Sequence, residues 1–168
     1  MTNTRLSLLL GFSCALTATG LFALRPIGTQ VSPPTRSTVA DPVALAAAIL
    51  RRTDRFASVG VGFAGIASVQ ALAWRVVFQS GAADSVFTSL LLDATRPGQL
   101  YALAGLYFVD RPRYAHAAAQ QRALGGEVAT QLGCVGSLQS VSGILDQMDR
   151  GYWSAHFLAA REATVWLE

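Results

Sequence analysis

The chain has 168 residues, and once an apolar N-terminal run and the polar stretch behind it are set aside about 125 remain, enough for one domain with a real core and too few for two. Its formal charge of +3 comes from thirteen arginines and no lysine, spread thinly. The only dense group, Arg51, Arg52 and Arg55, has Asp54 inside it and reads as a solvated helix end, which excludes a nucleic-acid footprint.

Leu6 to Leu24 reads LSLLLGFSCALTATGLFAL, 19 residues without a charge, bracketed by Arg5 and Arg25. As a helix this run spans about 28 Å and matches a bilayer core, longer than the roughly 7 to 15 residues of a signal-peptide core. It is therefore expected to be a retained transmembrane anchor over 1–24. The rivals are a signal cleaved after Gly20, which would cut inside the apolar run, and a lipoprotein at Cys14, for which Gly11, Phe12 and Ser13 form a poor lead-in. A four-residue head followed at once by an apolar run is how export signals begin, so the rest of the chain is expected on the periplasmic side of the inner membrane, held by a single pass. Residues 25–40, RPIGTQVSPPTRSTVA, hold Pro26, Pro33 and Pro34 among Ser and Thr and read as an extended linker.

From residue 41 to 168 the pattern predicts a small multi-helix domain. Asp41 as cap with Pro42 at the first helical position opens a helix expected to continue to Phe56. Gly60, Gly62 and Gly65 then spell GxGxxG. A dinucleotide fingerprint must end a buried strand and open a helix, with an acid further on such as Asp84. The residues before it read as a helix's polar end, so the motif is taken as a glycine-rich connector. No charge falls between Arg55 and Arg75, which raises a second membrane span as an alternative, but the Gly, Ala and Ser content argues against insertion. A helix capped by Ser68 runs to Gln79 with Val69, Leu72, Ala73, Val76 and Val77 on one apolar face. The next is capped by Asp84 or Ser85 and ends near Asp93.

Thr95-Arg96-Pro97 and Asp110-Arg111-Pro112, fifteen residues apart, each place a capping oxygen two positions before a proline and open helices to Val109 and Leu124. The first is apolar nearly all round and should be the central buried element, with Ala102, Ala104 and Gly105 allowing close approach and Tyr101 and Tyr107 as core aromatics. Gly125 and Gly126 end the second. Val128, Thr130, Leu132 and Cys134 alternate and suggest a short strand near 127–135. Ser137 caps a helix to Asp149 or Arg150, Gly151 ends it, and YWSAHFLAAR forms a last helix before the tail. The overall expectation is a mainly α fold. The stretch TRPGQLYALAGLYFVDRPRY is similar to stretches of exported bacterial proteins, a likeness that implies an address and no activity.

The residues offer little chemistry. His116 and His156 belong to no metal spacing, Cys134 reads as a buried structural thiol, and Asp146 and Asp149 at i and i+3 read as solvated. No catalytic residue, cofactor or metal is expected. The pattern fits a noncatalytic accessory subunit of a larger membrane complex, for which an energy-transducing photosynthetic or respiratory assembly is one candidate. Its partners are expected to be the lipid bilayer through Leu6 to Leu24 and integral membrane subunits, these through the aromatic end, Tyr152, Trp153, Phe157 and Trp166. The alternative is a free-standing exported binding domain or small enzyme.

Overall fold

The structure, a computed structural model, describes residues 41–162. The expected anchor over 1–24 and linker over 25–40 lie outside the described residues, as does Trp166. Among the described residues the chain is mainly helical, with seven helices and one four-stranded sheet.

Helix α1 (Pro42–Arg51) starts as its residues dictate: the Asp41 carboxylate accepts from the Val43 N–H at 3.0 Å, and Pro42 sits where no donor is needed. It does not continue to Phe56. The Thr53 hydroxyl donates to Arg55 O at 3.0 Å, the chain turns, and Phe56 opens strand β1 (Phe56–Val61). The first half of β1 is buried on both faces, and such a strand shows no alternation to distinguish it from a helix end.

The expected connector is a hairpin. Gly62 and Gly65 adopt φ of 71° and 62°, the Gly65 N–H donates to Gly62 O at 3.3 Å, and strand β2 (Ile66–Ala67) returns antiparallel to β1. GxGxxG here turns a strand back into a strand instead of opening a helix over a phosphate. Ser68 then caps helix α2 (Val69–Phe78), its hydroxyl accepting from the Ala71 N–H. Ten residues give about 15 Å of helix, half a hydrocarbon core. No helix among the described residues is long and apolar enough to cross a membrane. The buried face of α2 is Ala71, Ala73, Trp74 and Val77, so the expected stripe is split: Val69, Leu72 and Val76 face outward. The helix is apolar on nearly every side, and tertiary contact, not periodicity, chose the inner face.

Helix α3 (Ala83–Asp93) begins one residue before Asp84, without a side-chain cap. Helices α4 (Arg96–Val109) and α5 (Arg111–Leu124) begin where the two Arg-Pro signals placed them; Thr95 accepts from the Gly98 N–H and Asp110 from the Arg113 N–H. Helix α4 is the central element, buried over Leu100–Leu106. Gly105 faces the Phe87 ring of α3, and a Cβ there would fall 2.5 Å from Phe87 Cζ, so glycine is what lets the two helices meet.

Strand β3 (Glu127–Gly133) runs parallel to β1, and β4 (Val135–Ser140) pairs antiparallel with β3, giving the order β2-β1-β3-β4. The strand expected near 127–135 is present, with Val128 and Thr130 buried. The helix expected from Ser137 is not: Gly133, at φ 56°, turns the chain, Val135–Ser140 takes the free edge of β3, and Ser140 instead caps helix α6 (Val141–Asp149). Cys134 lies in that turn and is exposed, not a buried thiol. Helix α7 (Tyr152–Glu162) follows Gly151.

The helices pack on the sheet through Phe56, whose ring lies 4.8 Å from Tyr101 and 4.6 Å from Trp153. Trp74 extends the aromatic core toward Phe157 at 4.7 Å.

Candidate interaction surface

Among the described residues the buried side-chain polar groups are engaged by neighbours, Arg51 Nε by the Asp93 carboxylate at 2.9 Å without a hydrogen bond. Ala57 pairs in register with Gln131 of β3 just before the register shift that follows it, but β2 reaches β1 only at Gly60 and Val61, so on that edge no strand lies beside Ala57. The Tyr101 hydroxyl fills in, accepting from the Ala57 N–H at 2.8 Å and donating to Ala57 O at 3.2 Å. Burial pushes this hydroxyl far above the ordinary tyrosine range, so it stays protonated and structural. Ser58 completes the repair: its hydroxyl donates to Gly60 O at 2.8 Å and accepts from the Gly133 N–H at 3.2 Å.

The densest polar cluster joins α5 to α6. The Tyr114 hydroxyl donates to Asp149 at 2.7 Å, and Arg122 bridges Asp146 at 3.1 Å and Asp149 at 2.5 Å. Burial opposes the Asp149 charge, yet the hydrogen bonds from Tyr114 and Arg122 hold its carboxyl below the ordinary value. Arg111 lies over the Tyr107 ring, 3.5 Å from its centroid. Across the α4–α5 pair, Arg96 donates to Gln121 and, at 2.6 Å, to Gly125 O, tying the start of one helix to the end of the other. Each member answers another, and this cluster reads as inter-helix fastening.

His116 meets Gln120 at 3.0 Å, and His156 lies edge-on to Tyr152 with centroids 5.0 Å apart. Among the described residues no group of three or more His, Cys, Asp or Glu is arranged to hold a metal ion. An open groove of about 540 Å³ follows β3 and β4, lined by Arg55, Gln131, Gly136 and Leu138. Arg55 is engaged there by Asp54 at 3.0 Å and Gln131 at 3.4 Å.

The aromatic end is divided. Tyr152 is 46% exposed, whereas Trp153 and Phe157 are 1% exposed and belong to the core, where the Trp153 indole N–H donates to Gln147 at 2.9 Å. Helical spacing explains the division: 153 and 157 are one turn apart on the inner face, and 152 falls beside them on the rim.

The surface that sequence reasoning missed lies elsewhere. Gly62, Phe63, Ala64, Gly65, Ile66 and Ala67 are six consecutive exposed residues without one polar side-chain atom. Phe63 is fully exposed at the hairpin tip and Ile66 is 69% exposed. Val69, Leu72 and Val76, at 55%, 40% and 37%, carry the apolar character along the outward side of α2. No acidic residue lies between Asp54 and Asp84. The signal was the uncharged interval after Arg55, but the choice between strand, helix and connector decides whether such an interval is core or surface. An exposed apolar run of this length is a candidate contact site in a folded domain.

A comparison of the chain with protein-family models, with curated proteins and with solved structures finds no match.

Proposed function

We propose that the protein is a noncatalytic, membrane-anchored accessory subunit. Leu6 to Leu24 holds it in the inner membrane, residues 25–40 act as a spacer, and the helical domain stands in the periplasm against integral membrane subunits of a larger assembly. An energy-transducing complex, photosynthetic or respiratory, is the class this architecture would serve. The observation that carries the reading is the uncovered apolar surface of Gly62–Ala67 with Val69, Leu72 and Val76 on a domain whose buried polar groups are engaged in fastening its own elements. Such a surface favours attachment at the membrane, to lipid or to a subunit embedded in it, over turnover. Tyr152 is the member of the aromatic end that the described surface offers to a partner, and Trp166 is the second residue assigned to that role.

Native gel electrophoresis of gently solubilised membranes tests this. Migration with a high-mass assembly that contains integral membrane polypeptides is expected, and a variant lacking Leu6 to Leu24 should lose it. A full-length chain that migrates as a free monomer from fresh membranes would overturn the reading.

A further inference from the structure

The tip of the β1–β2 hairpin and the outward side of α2 are the part of the described molecule least suited to water. Over Gly62–Ala67 every exposed side chain is apolar, Val69, Leu72 and Val76 continue this along α2 with half-buried Gln70 and Arg75 interspersed, and no carboxylate occurs from residue 55 to 83 to be repelled by anionic headgroups. The backbone is also prepared for a poorly hydrated setting. The Gly62 N–H donates to Gly133 O at 3.0 Å, the Gly65 N–H to Gly62 O at 3.3 Å and the Ser68 N–H to Val59 O at 2.8 Å, so the turn brings few unsatisfied donors with it. We propose that this surface, with Phe63 at its point, inserts into the interfacial layer of the lipid bilayer.

Bilayer is favoured over a protein partner by shape, charge and reach. A protruding hairpin tip with a fully exposed phenyl ring is a wedge, not the flat, polar-rimmed patch of a protein interface. Reach follows from the anchor reading, on which this inference rests: sixteen residues separate Leu24 from Asp41, and a chain of that length can span at most about 60 Å, which bounds the distance of the domain from the membrane. The chain also enters the domain at α1, the helix packed alongside α2.

The test uses the full chain with Cys14→Ser and Cys134→Ser, reconstituted in nanodiscs of phosphatidylcholine and phosphatidylglycerol, and a nitroxide attached at Phe63→Cys. The same label at Leu92→Cys, an 83% exposed site on α3, is the reference. Neither position belongs to the core, so the fold is retained, as circular dichroism will verify. Collision rates with oxygen, which partitions into lipid, and with a water-soluble nickel chelate are compared. The expected result is an oxygen-to-nickel ratio several-fold higher at 63 than at 92. Equal ratios in a chain that has entered the nanodiscs would overturn insertion and leave the anchor standing. A label at 63 shielded from both reagents would overturn it in favour of protein contact. A chain that never enters the nanodiscs would overturn the anchor reading, and this inference with it.

Discussion

Replacing Tyr101 by Phe keeps the ring that packs 4.8 Å from Phe56 and 6.0 Å from Phe157, and removes one oxygen. That oxygen is the partner of both the N–H and the C=O of Ala57, a residue 1% exposed, at a point where the β1–β3 register shifts. Two hydrogen bonds at about 1 kcal/mol each set the lower bound, and two stranded backbone groups at up to about 3 kcal/mol each set the upper, so a loss of about 2–6 kcal/mol is expected. Tyr114→Phe is the comparison. Its partner Asp149 is 44% exposed, water can replace the lost bond, and the loss should stay near 1 kcal/mol. Every member of the core cluster lies between Ala46 and Phe157, so a fragment beginning at Thr38 holds the whole core and can be unfolded in urea, followed by circular dichroism. Hydrogen exchange at the Ala57 amide should accelerate in Tyr101→Phe beyond what the global loss explains. A Tyr101→Phe chain within about 0.5 kcal/mol of the parent would refute the view that this hydroxyl substitutes for a strand partner.

Gly105→Ala forces a methyl group into the Phe87 ring; overpacking of about 1–3 kcal/mol exceeds the gain of up to about 1 kcal/mol in helix propensity, so a net loss is expected, recovered in part by Phe87→Leu. A net gain in urea would show that the α3–α4 contact is looser. Tyr101 and Tyr114 are both held above the ordinary tyrosine value of 10.0, chiefly by burial. The unfolded chain therefore gives up these protons first: their contribution is fully present below about pH 10 and lost as pH rises through the folded values. Urea midpoints should fall steeply above pH 10, less so in Tyr101→Phe. Cys134 is exposed, so in the Thr38 fragment it should react with a maleimide or disulfide reagent without denaturant, and labelling that requires unfolding would contradict its place in the β3–β4 turn.

The elements legible in the sequence are those whose ends are set by local chemistry. Asp41-Pro42, Ser68, Thr95-Arg96-Pro97 and Asp110-Arg111-Pro112 name their helix starts because a side-chain oxygen or a proline acts within three residues. Gly105 and the apolar sequence around it likewise marked α4 as central. The sheet was legible only at β3, where Val128, Thr130 and Leu132 alternate. β1 is buried on both faces where it begins, and β4 is exposed along most of its length, so neither alternates. Ser137 and Ser140 carry the same capping signal three residues apart, and the pairing of β4 with β3, a tertiary event, selects Ser140. The same holds for the contact surface. Trp153 and Phe157 looked available because an aromatic end has no intrinsic inside, while Phe63 and Ile66 passed for connector residues until the hairpin set them outward.

The central claim, a chain held in the membrane as part of an assembly, is tested most directly by intact-mass measurement of the native protein recovered from membranes washed with alkaline carbonate. A mass that includes Leu6 to Leu24, found in the washed membrane fraction, is expected. A mass lacking about the first 20 to 24 residues, recovered in the soluble fraction, would contradict it.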